Sequence, residues 1–393
     1  MTIYPDRTGL RVLHLHSGNM AGGVEAAIRT LVQRAHECPQ MQQETALVFD
    51  GAFADTMRQT GVTVHLLPRA HLRKPTSVLR ARRALADLLE RERFDVVLSH
   101  SPWCQVVFGP VLKKAARSAL IMHAPFTGHW LQRLALRHPP EMVICNSRYT
   151  QSSLRKVRPG LRSEVVYLPV AEESLMVDRQ SVRQSLGASP ETIVILMASR
   201  MERWKGHFNL LSAATKLNAQ TQWTIWIAGG PQSKAEHRYY DQLRNEVARL
   251  ELTSRVQFLG QRRDVPSLLQ ASDIHCQPNK APEPFGMIFV EAMRAAVPSV
   301  TFAMGGPQEI FDNRSGVLVP PGDIGQLVDA LTLMMNDAEA RVRVGRAAQE
   351  RARKLFDPAL QLNRLHKILS QAAYRHCWNM EEQWEPFSVP SHS

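Results

Sequence analysis

The sequence predicts an α/β protein of two Rossmann-like, doubly wound domains that face each other across a cleft. Three observations predict it. The chain has 393 residues, more than one ordinary α/β core accommodates. Short apolar runs alternate with amphipathic stretches along both halves, the pattern of a parallel sheet with helical crossovers. That pattern stops in a polar stretch after Val170 and restarts at Thr192. The expected domains are residues 1–175 and 176–359, with a C-terminal helix at about 360–378 packing back on the first domain and 379–393 as a flexible tail.

In the first half, strands are expected at Leu10–Leu15, Thr45–Phe49, Val62–Leu67, Asp95–Ser99, Ala119–His123 and Met142–Cys145. The first is followed by the turn-rich Ser17–Gly23 and a helix from Val24 to about Ala35, with Ile28, Leu31 and Val32 on one face. Another helix is expected over Ser77–Arg91. The stretch Ala171–Arg183 reads as a linker. Strands then follow at Thr192–Met197, Trp223–Ala228, Val256–Leu259, Ile274–Gln277, Ser299–Phe302 and Val317–Val319, and the chain is largely helical from Ala338 to about Trp378. Sheets of this kind bind ligands beyond the carboxyl ends of their strands, so functional residues are expected just after strands.

Hydrophobic residues make up 44%, a globular composition, and no apolar run approaches the roughly 18 residues needed to span a bilayer. The N-terminus lacks a secretory pattern, so a cytoplasmic location is expected. Five dispersed cysteines, never in Cys-x-x-Cys, support neither a disulfide framework nor a zinc site. The net charge of +12 is unevenly placed: residues 1–170 hold 23 Lys and Arg against 12 Asp and Glu, whereas 171–393 hold 25 against 24. Clustered cations concentrate anionic substrates, nucleic acid or anionic membrane surfaces. Trp130–Arg137, with Lys113, Lys114 and Arg117 near in sequence, has the mixture of a membrane-surface helix, although an ordinary amphipathic helix packed on its sheet reads the same way. A peripheral place on the inner face of a membrane is therefore among the expectations.

The densest chemical signal is Pro282-Glu283-Pro284-Phe285-Gly286-Met287-Ile288-Phe289-Val290-Glu291. It follows a strand, places Glu283 in a loop and Glu291 about a turn into a helix that begins near Gly286. Free N–H groups and partial positive charge at a helix N-terminus suit a phosphate or an oxygen-rich sugar, and two carboxylates beside them can accept bonds from paired hydroxyls. The second signal is Ser199-Arg200-Met201-Glu202-Arg203-Trp204-Lys205-Gly206-His207. Arg200 can fork onto a phosphate and Lys205 can add a point charge, so a departing diphosphate can be stabilised without a metal. No Asp-x-Asp occurs, and neither a metal nor another cofactor is expected. A third glycine-rich turn, Gly305-Gly306-Pro307-Gln308-Glu309, also follows a strand.

Together these segments resemble the retaining glycosyltransferases of family 4, which have the GT-B fold. The Glu-x7-Glu hallmark is matched by Glu283 and Glu291, the Arg…Lys-Gly segment by Arg200, Lys205 and Gly206, the Gly-Gly-x-x-Glu turn by Gly305, Gly306 and Glu309, and a Gly-x-Leu-Val-x-Pro-Gly-Asp segment by Gly316–Asp323. The resemblance is strong over roughly 190–355 and looser in the first half, where it rests on Gly22-Gly23-Val24-Glu25, Asp95–His100 and Ile121–His123. It implies that Glu291 holds the donor ribose, Glu283 the transferred sugar, and the N–H groups of Phe285, Gly286 and Met287 line that sugar. Arg200 and Lys205 would bind the diphosphate, Gly22 and Gly23 would close on it from the other domain, and His123 would stand beside the reacting sugar. Two departures are Ser199, where the family commonly has Gly, and Ala124, where an acid often stands.

The resemblance implies retention at the anomeric carbon. No convincing nucleophilic carboxylate follows a strand of the first half, since Glu25 starts a helix and Asp95 precedes its strand. Front-face attack, with positioning and charge stabilisation supplying the catalysis, is therefore expected. The acceptor is expected to be a glycan or a lipid-linked sugar, in cell-surface polysaccharide or glycolipid synthesis. The runner-up is a synthase with a small phosphorylated acceptor, and another class is a non-catalytic nucleotide-sugar or glycan binder. A nucleotide-cofactor oxidoreductase and a P-loop hydrolase lack their glycine motifs here. Binding to nucleic acid would explain the basic half but not the acidic pair. The base of the donor, uridine or guanosine, stays open.

Overall fold

The computed structural model describes residues 9–17, 22–115, 117–170 and 178–374. The first sheet is built from β1 (Leu10–His16), β2 (Met41–Leu47), β3 (Val64–Leu66), β4 (Val96–Ser99), β5 (Arg117–Met122), β6 (Met142–Cys145) and β7 (Ser163–Val165), in the order β3-β2-β1-β4-β5-β6-β7. The second contains β8 (Ile193–Ala198), β9 (Trp223–Ala228), β10 (Val256–Gly260), β11 (Ile274–Cys276), β12 (Ser299–Phe302) and β13 (Val317–Val319), in the order β10-β9-β8-β11-β12-β13. All these pairings are parallel, with Val12 opposite Val96 and Ile195 opposite Ile274 across the central pairs. Both sheets are doubly wound, as the strand–helix alternation predicts. Each reverses its strand order at the first strand, beside β4 in one and β11 in the other, and a crevice opens at such a switch point.

The cores meet. One apolar cluster contains Leu10, Val12, Leu98 and Ile121 of the first sheet, Phe285, Phe289 and Met293 from the glutamate-rich segment, and Leu362, Leu365 and Leu369 of the last helix, Pro358–Ala373. That helix presents leucines at helical spacing and starts with Asp357 capping the N–H of Leu360. It packs against β4 and β5 of the first sheet. Through it, the glutamate-rich segment is packed onto the first domain as well as the second.

Three readings change. β2 begins at Met41 rather than Thr45, because Met41 and Gln43 alternate inward with the exposed Gln42 between them. β7 forms in the short polar run Ser163-Glu164-Val165, which lacks an apolar strand signal. The linker reading fails for its end: Asp178 caps a helix at Arg179–Ser185, and Arg183 is buried, donating to Ala271 O at 3.0 Å and to Asp273 at 3.1 Å. Residues 171–177 and the expected tail at 379–393 lie outside the described residues. Among the described residues, Cys38, Cys104, Cys145 and Cys276 are free and buried, and no helix is long and apolar enough to cross a membrane.

Candidate active site

Glu283 lies in the loop that leaves β11. Its backbone carbonyl accepts from Gly306 N at 2.7 Å, so the two glycine-bearing turns are stitched together. The stitch explains both glycines: a Cβ on Gly305 would lie 2.3 Å from Glu283 O, and one on Gly306 would lie 2.3 Å from Phe285 O. The Glu283 side chain is buried, and its Oε2 receives Lys205 Nζ at 2.7 Å, Asn279 Nδ2 at 2.9 Å and Gln277 Nε2 at 3.4 Å. Among the described residues no donor reaches Oε1. One oxygen is anchored and the other takes no hydrogen bond among the described residues.

Gly286 has φ +100° and caps the helix Met287–Arg294, on which Glu291 sits one turn in. Phe285 turns its ring away from the loop, into the core between Tyr167 (centroids 5.9 Å apart) and Phe356 (5.8 Å). What this loop offers a ligand is thus the N–H groups of Phe285, Gly286 and Met287. Lys205 belongs to a single 3-10 turn, Arg203–Lys205, closed by Gly206 at φ +86°, where a Cβ would collide with Pro278 O at 1.8 Å. The close approach brings Lys205 against Glu283. Arg200 follows β8 and pairs with Glu236 at 2.8 Å and Glu202 at 3.3 Å. Glu236 is the third helical residue after the cap Ser233, whose hydroxyl accepts from its N–H. Burial opposes the charge on Glu236, but the N–H of Gln232 and the Arg200 guanidinium outweigh it and hold the carboxyl below its usual range.

The first domain contributes from the ends of β1, β4 and β5. Gly22 is the extended N-cap of the helix Gly23–Gln33, and a Cβ on Gly23 would stand 3.7 Å from Met287 Sδ, so this glycine borders the glutamate-rich loop. His123 follows β5, stacked at 5.7 Å on His100, which follows β4. His14 and His16, both on β1, complete the cluster, and His16 pairs with Glu25 at 3.1 Å. Burial holds His14 down at about 4 and His123 at about 3, so both rings are neutral near pH 7. Among the described residues no group of three His, Cys, Asp or Glu side chains could hold a metal ion.

Four contacts are not legible in the sequence. Ser147 Oγ donates to Pro284 O at 2.5 Å, and the Glu309 carboxylate accepts from the N–H groups of Arg148 (2.9 Å) and Tyr149 (3.1 Å) and from Tyr167 Oη (3.1 Å). Burial nevertheless raises the Glu309 carboxyl above its usual range. A helix N-terminus of the first domain therefore clasps the glutamate-rich loop of the second. Gln43 and His14, beneath His100, carry no motif that would mark them. The Trp130–Arg137 stretch is a short helix, Trp130–Ala135, with Trp130 60% exposed and Ala135 and Leu136 buried.

Comparison with known proteins bears on this arrangement. Residues 178–351 match the family model described as Glycosyl transferases group 1, and residues 21–173 match the one described as Glycosyltransferase Family 4. A D-inositol 3-phosphate glycosyltransferase of Corynebacterium efficiens is 28% identical over 201 residues, covering 50% of this chain and 46% of the relative. That of Corynebacterium urealyticum is 30% identical over 282 residues, covering 63% and 66%. The chain thus spans about half the length of the first of these relatives and just under two thirds of the second. The crystal structure of Anabaena HepE in complex with UDP-glucose superposes with a TM-score of 0.80 at 25% identity, covering 92% of this chain and all of that one.

Proposed function

This chain belongs to glycosyltransferase family 4, and we propose that it transfers a hexose-type sugar from a nucleotide-sugar donor to a glycan or lipid-linked acceptor, with retention at the anomeric carbon and no divalent metal. The observation that carries the reading is the Glu283 carboxylate, anchored through Oε2 by Lys205, Asn279 and Gln277 and open at Oε1 beside a helix N-terminus. A buried acceptor held this way fits a sugar hydroxyl and is poorly placed for proton transfer. On this reading Glu291 holds the ribose, Glu283 the sugar, the N–H groups of Phe285, Gly286 and Met287 line it, Gly22 and Gly23 border the diphosphate, and His123 stands beside the reacting carbon.

Arg200 and Lys205 supply the charge that a departing diphosphate needs, and each such contact is worth about 3 kcal/mol in the transition state. Among the described residues of the first domain, Glu25 is bonded to His16 and Asp95 to Arg11 N at 2.7 Å. This supports front-face attack, with the leaving phosphate accepting the acceptor's proton. UDP-glucose is the donor of first choice because HepE binds it; GDP-sugars are the comparison. The names of the curated relatives favour a second reading, in which the acceptor is a small phosphorylated polyol.

A thermal-shift screen with UDP- and GDP-sugars, with and without a chelator, tests the donor: at 100 times its Kd a true donor adds about 2.7 kcal/mol of stability. No shift from any nucleotide sugar overturns the proposal, and a shift abolished by chelator overturns its metal independence. The exposed Trp130 with Arg133 and Arg137 supports a seat on an anionic cytoplasmic membrane surface. Sedimentation with anionic vesicles, lost on Arg133→Ala/Arg137→Ala, is the expected result, and no sedimentation of the wild-type protein ends that reading.

A further inference from the structure

Beneath the switch point of the first sheet runs an unbroken line of buried polar groups. Gln43, on β2, donates from Nε2 to Leu31 O at 3.1 Å. A carbonyl only accepts, so the amide nitrogen is fixed on that side and Oε1 must face His14, whose Nε2 lies 2.8 Å away. An amide oxygen likewise only accepts, so the His14 proton sits on Nε2. The His14 ring is fully buried and neutral, which leaves its Nδ1 bare; that atom lies 2.8 Å from His100 Nε2 and accepts from it. His100 Nδ1 is then bare in turn and lies 3.4 Å from His123 Nε2, which donates.

Each link has one possible polarity, so a single glutamine dictates three tautomers. His123 arrives at the strand end with its only proton committed to His100. Its Nδ1 is a bare acceptor, buried and without a partner among the described residues. His16, edge-on to His100 at 6.3 Å, stands off the line because it pairs with Glu25.

We propose that Gln43 is a positioning residue of the transfer reaction: through His14 and His100 it fixes the tautomer in which His123 meets the bound sugar, with Nδ1 accepting a hydrogen bond from a sugar hydroxyl. The inference rests on the reading that puts His123 beside the transferred sugar. It adds a requirement on the substrate, namely a hydroxyl able to donate at that point. With the opposite tautomer His123 would present a proton, and a hydroxyl would have to turn its lone pair to meet it.

The test is performed on the full chain with ¹⁵N-labelled histidine side chains. In wild type, long-range ¹H–¹⁵N correlations are expected to show Nε2 protonated and Nδ1 bare in His14, His100 and His123. Gln43→Met removes the acceptor at similar volume; His123 should then show both tautomers, and kcat should fall about tenfold, the worth of one ordinary hydrogen bond, with the donor KM within twofold. Gln43→Glu, whose neutral acid donates to Leu31 O and accepts from His14, should restore both readouts.

Protonation of His123 on Nδ1 in wild type overturns the proposal whether or not the variants fold. So does a Gln43→Met protein with wild-type tautomers and kcat. If the tautomers behave as stated while His123→Ala keeps kcat within twofold of wild type, the role in transfer fails through the placement of His123 and not through the line of bonds.

Discussion

The substitution Glu283→Gln separates what holds this carboxylate from what it holds. Three donors converge on Oε2, from Lys205 at 2.7 Å, Asn279 at 2.9 Å and Gln277 at 3.4 Å. An amide in the same place turns its oxygen toward them, because its NH₂ would oppose all three. The NH₂ group then occupies the Oε1 position and offers a donor where a ligand hydroxyl expects an acceptor. The network survives, minus one charge opposite a Lys205 side chain that is 14% exposed, at a cost of about 1 kcal/mol in stability. The ligand contact is lost, and a charge-assisted bond of about 2 kcal/mol corresponds to roughly a thirtyfold fall in kcat/KM.

Glu283→Ala behaves differently. It strands Lys205, Asn279 and Gln277 together, and breaking a largely buried ion pair costs about 3 kcal/mol. Transfer from UDP-glucose and thermal unfolding, measured for both variants, distinguish the effects. Glu283→Gln should be nearly as stable as wild type and severely slowed; Glu283→Ala should be both slowed and destabilised. A Glu283→Gln enzyme within twofold of wild type would refute the assignment of Oε1 to the sugar. Equal destabilisation of the two variants would refute the anchoring role of Oε2.

Glu291→Ala should weaken donor binding, by about tenfold in Kd measured calorimetrically, and change kcat little, since on the proposed reading its ribose contact is made equally in the ground and transition states. Stability should fall on mild acidification. The depressed values of His14, at about 4, and of His123, His207 and His275, at about 3, mean that the unfolded chain takes up protons below about pH 6.5 while the folded chain does not. The stability these rings contribute is complete above pH 6.5 and is lost as pH falls toward their folded values. From pH 7 to 5.5 each costs about 1 kcal/mol, so denaturant midpoints should drop steeply over that interval. A flat profile there would show that the rings titrate normally.

The alternation of apolar runs was enough to find most strands because a parallel sheet buried on both faces writes itself in Val, Ile and Leu. It missed β7 and the start of β2, where Ser163, Glu164, Gln42 and Gln43 carry no such signal. The helix Arg179–Ser185 was hidden by polar composition, although Asp178 is an ordinary N-cap signal. In the site, motifs brought Glu283, Glu291, Arg200 and Lys205 to attention, yet their pairings were out of reach. Glu236 lies 36 residues from Arg200, and its local sequence, Ser233-x-x-Glu236, announces only a capping box. The clasp of Glu309 on Arg148 and Tyr149, 161 and 160 residues away, depends on how the domains meet, which no local pattern encodes.

Those pairings alter how the cations are to be understood. Lys205 is paired with Glu283 and Arg200 with Glu236 and Glu202, so neither stands as a bare positive charge. On the proposed reading a diphosphate adds a second anion to cations that are already paired, and its net gain is smaller than the attraction of a bare charge implies. On that reading the carboxylates still hold the cations as the nucleoside diphosphate leaves, which eases its release. On the proposed reading, the two acids therefore serve twice. Glu283 holds the sugar through Oε1 and balances Lys205 through Oε2, and Glu236 fixes a helix end while it keeps Arg200 in reach. Replacing either cation's partner should consequently tighten diphosphate binding while it slows turnover, and a variant in which product affinity and kcat rise together would contradict that coupling.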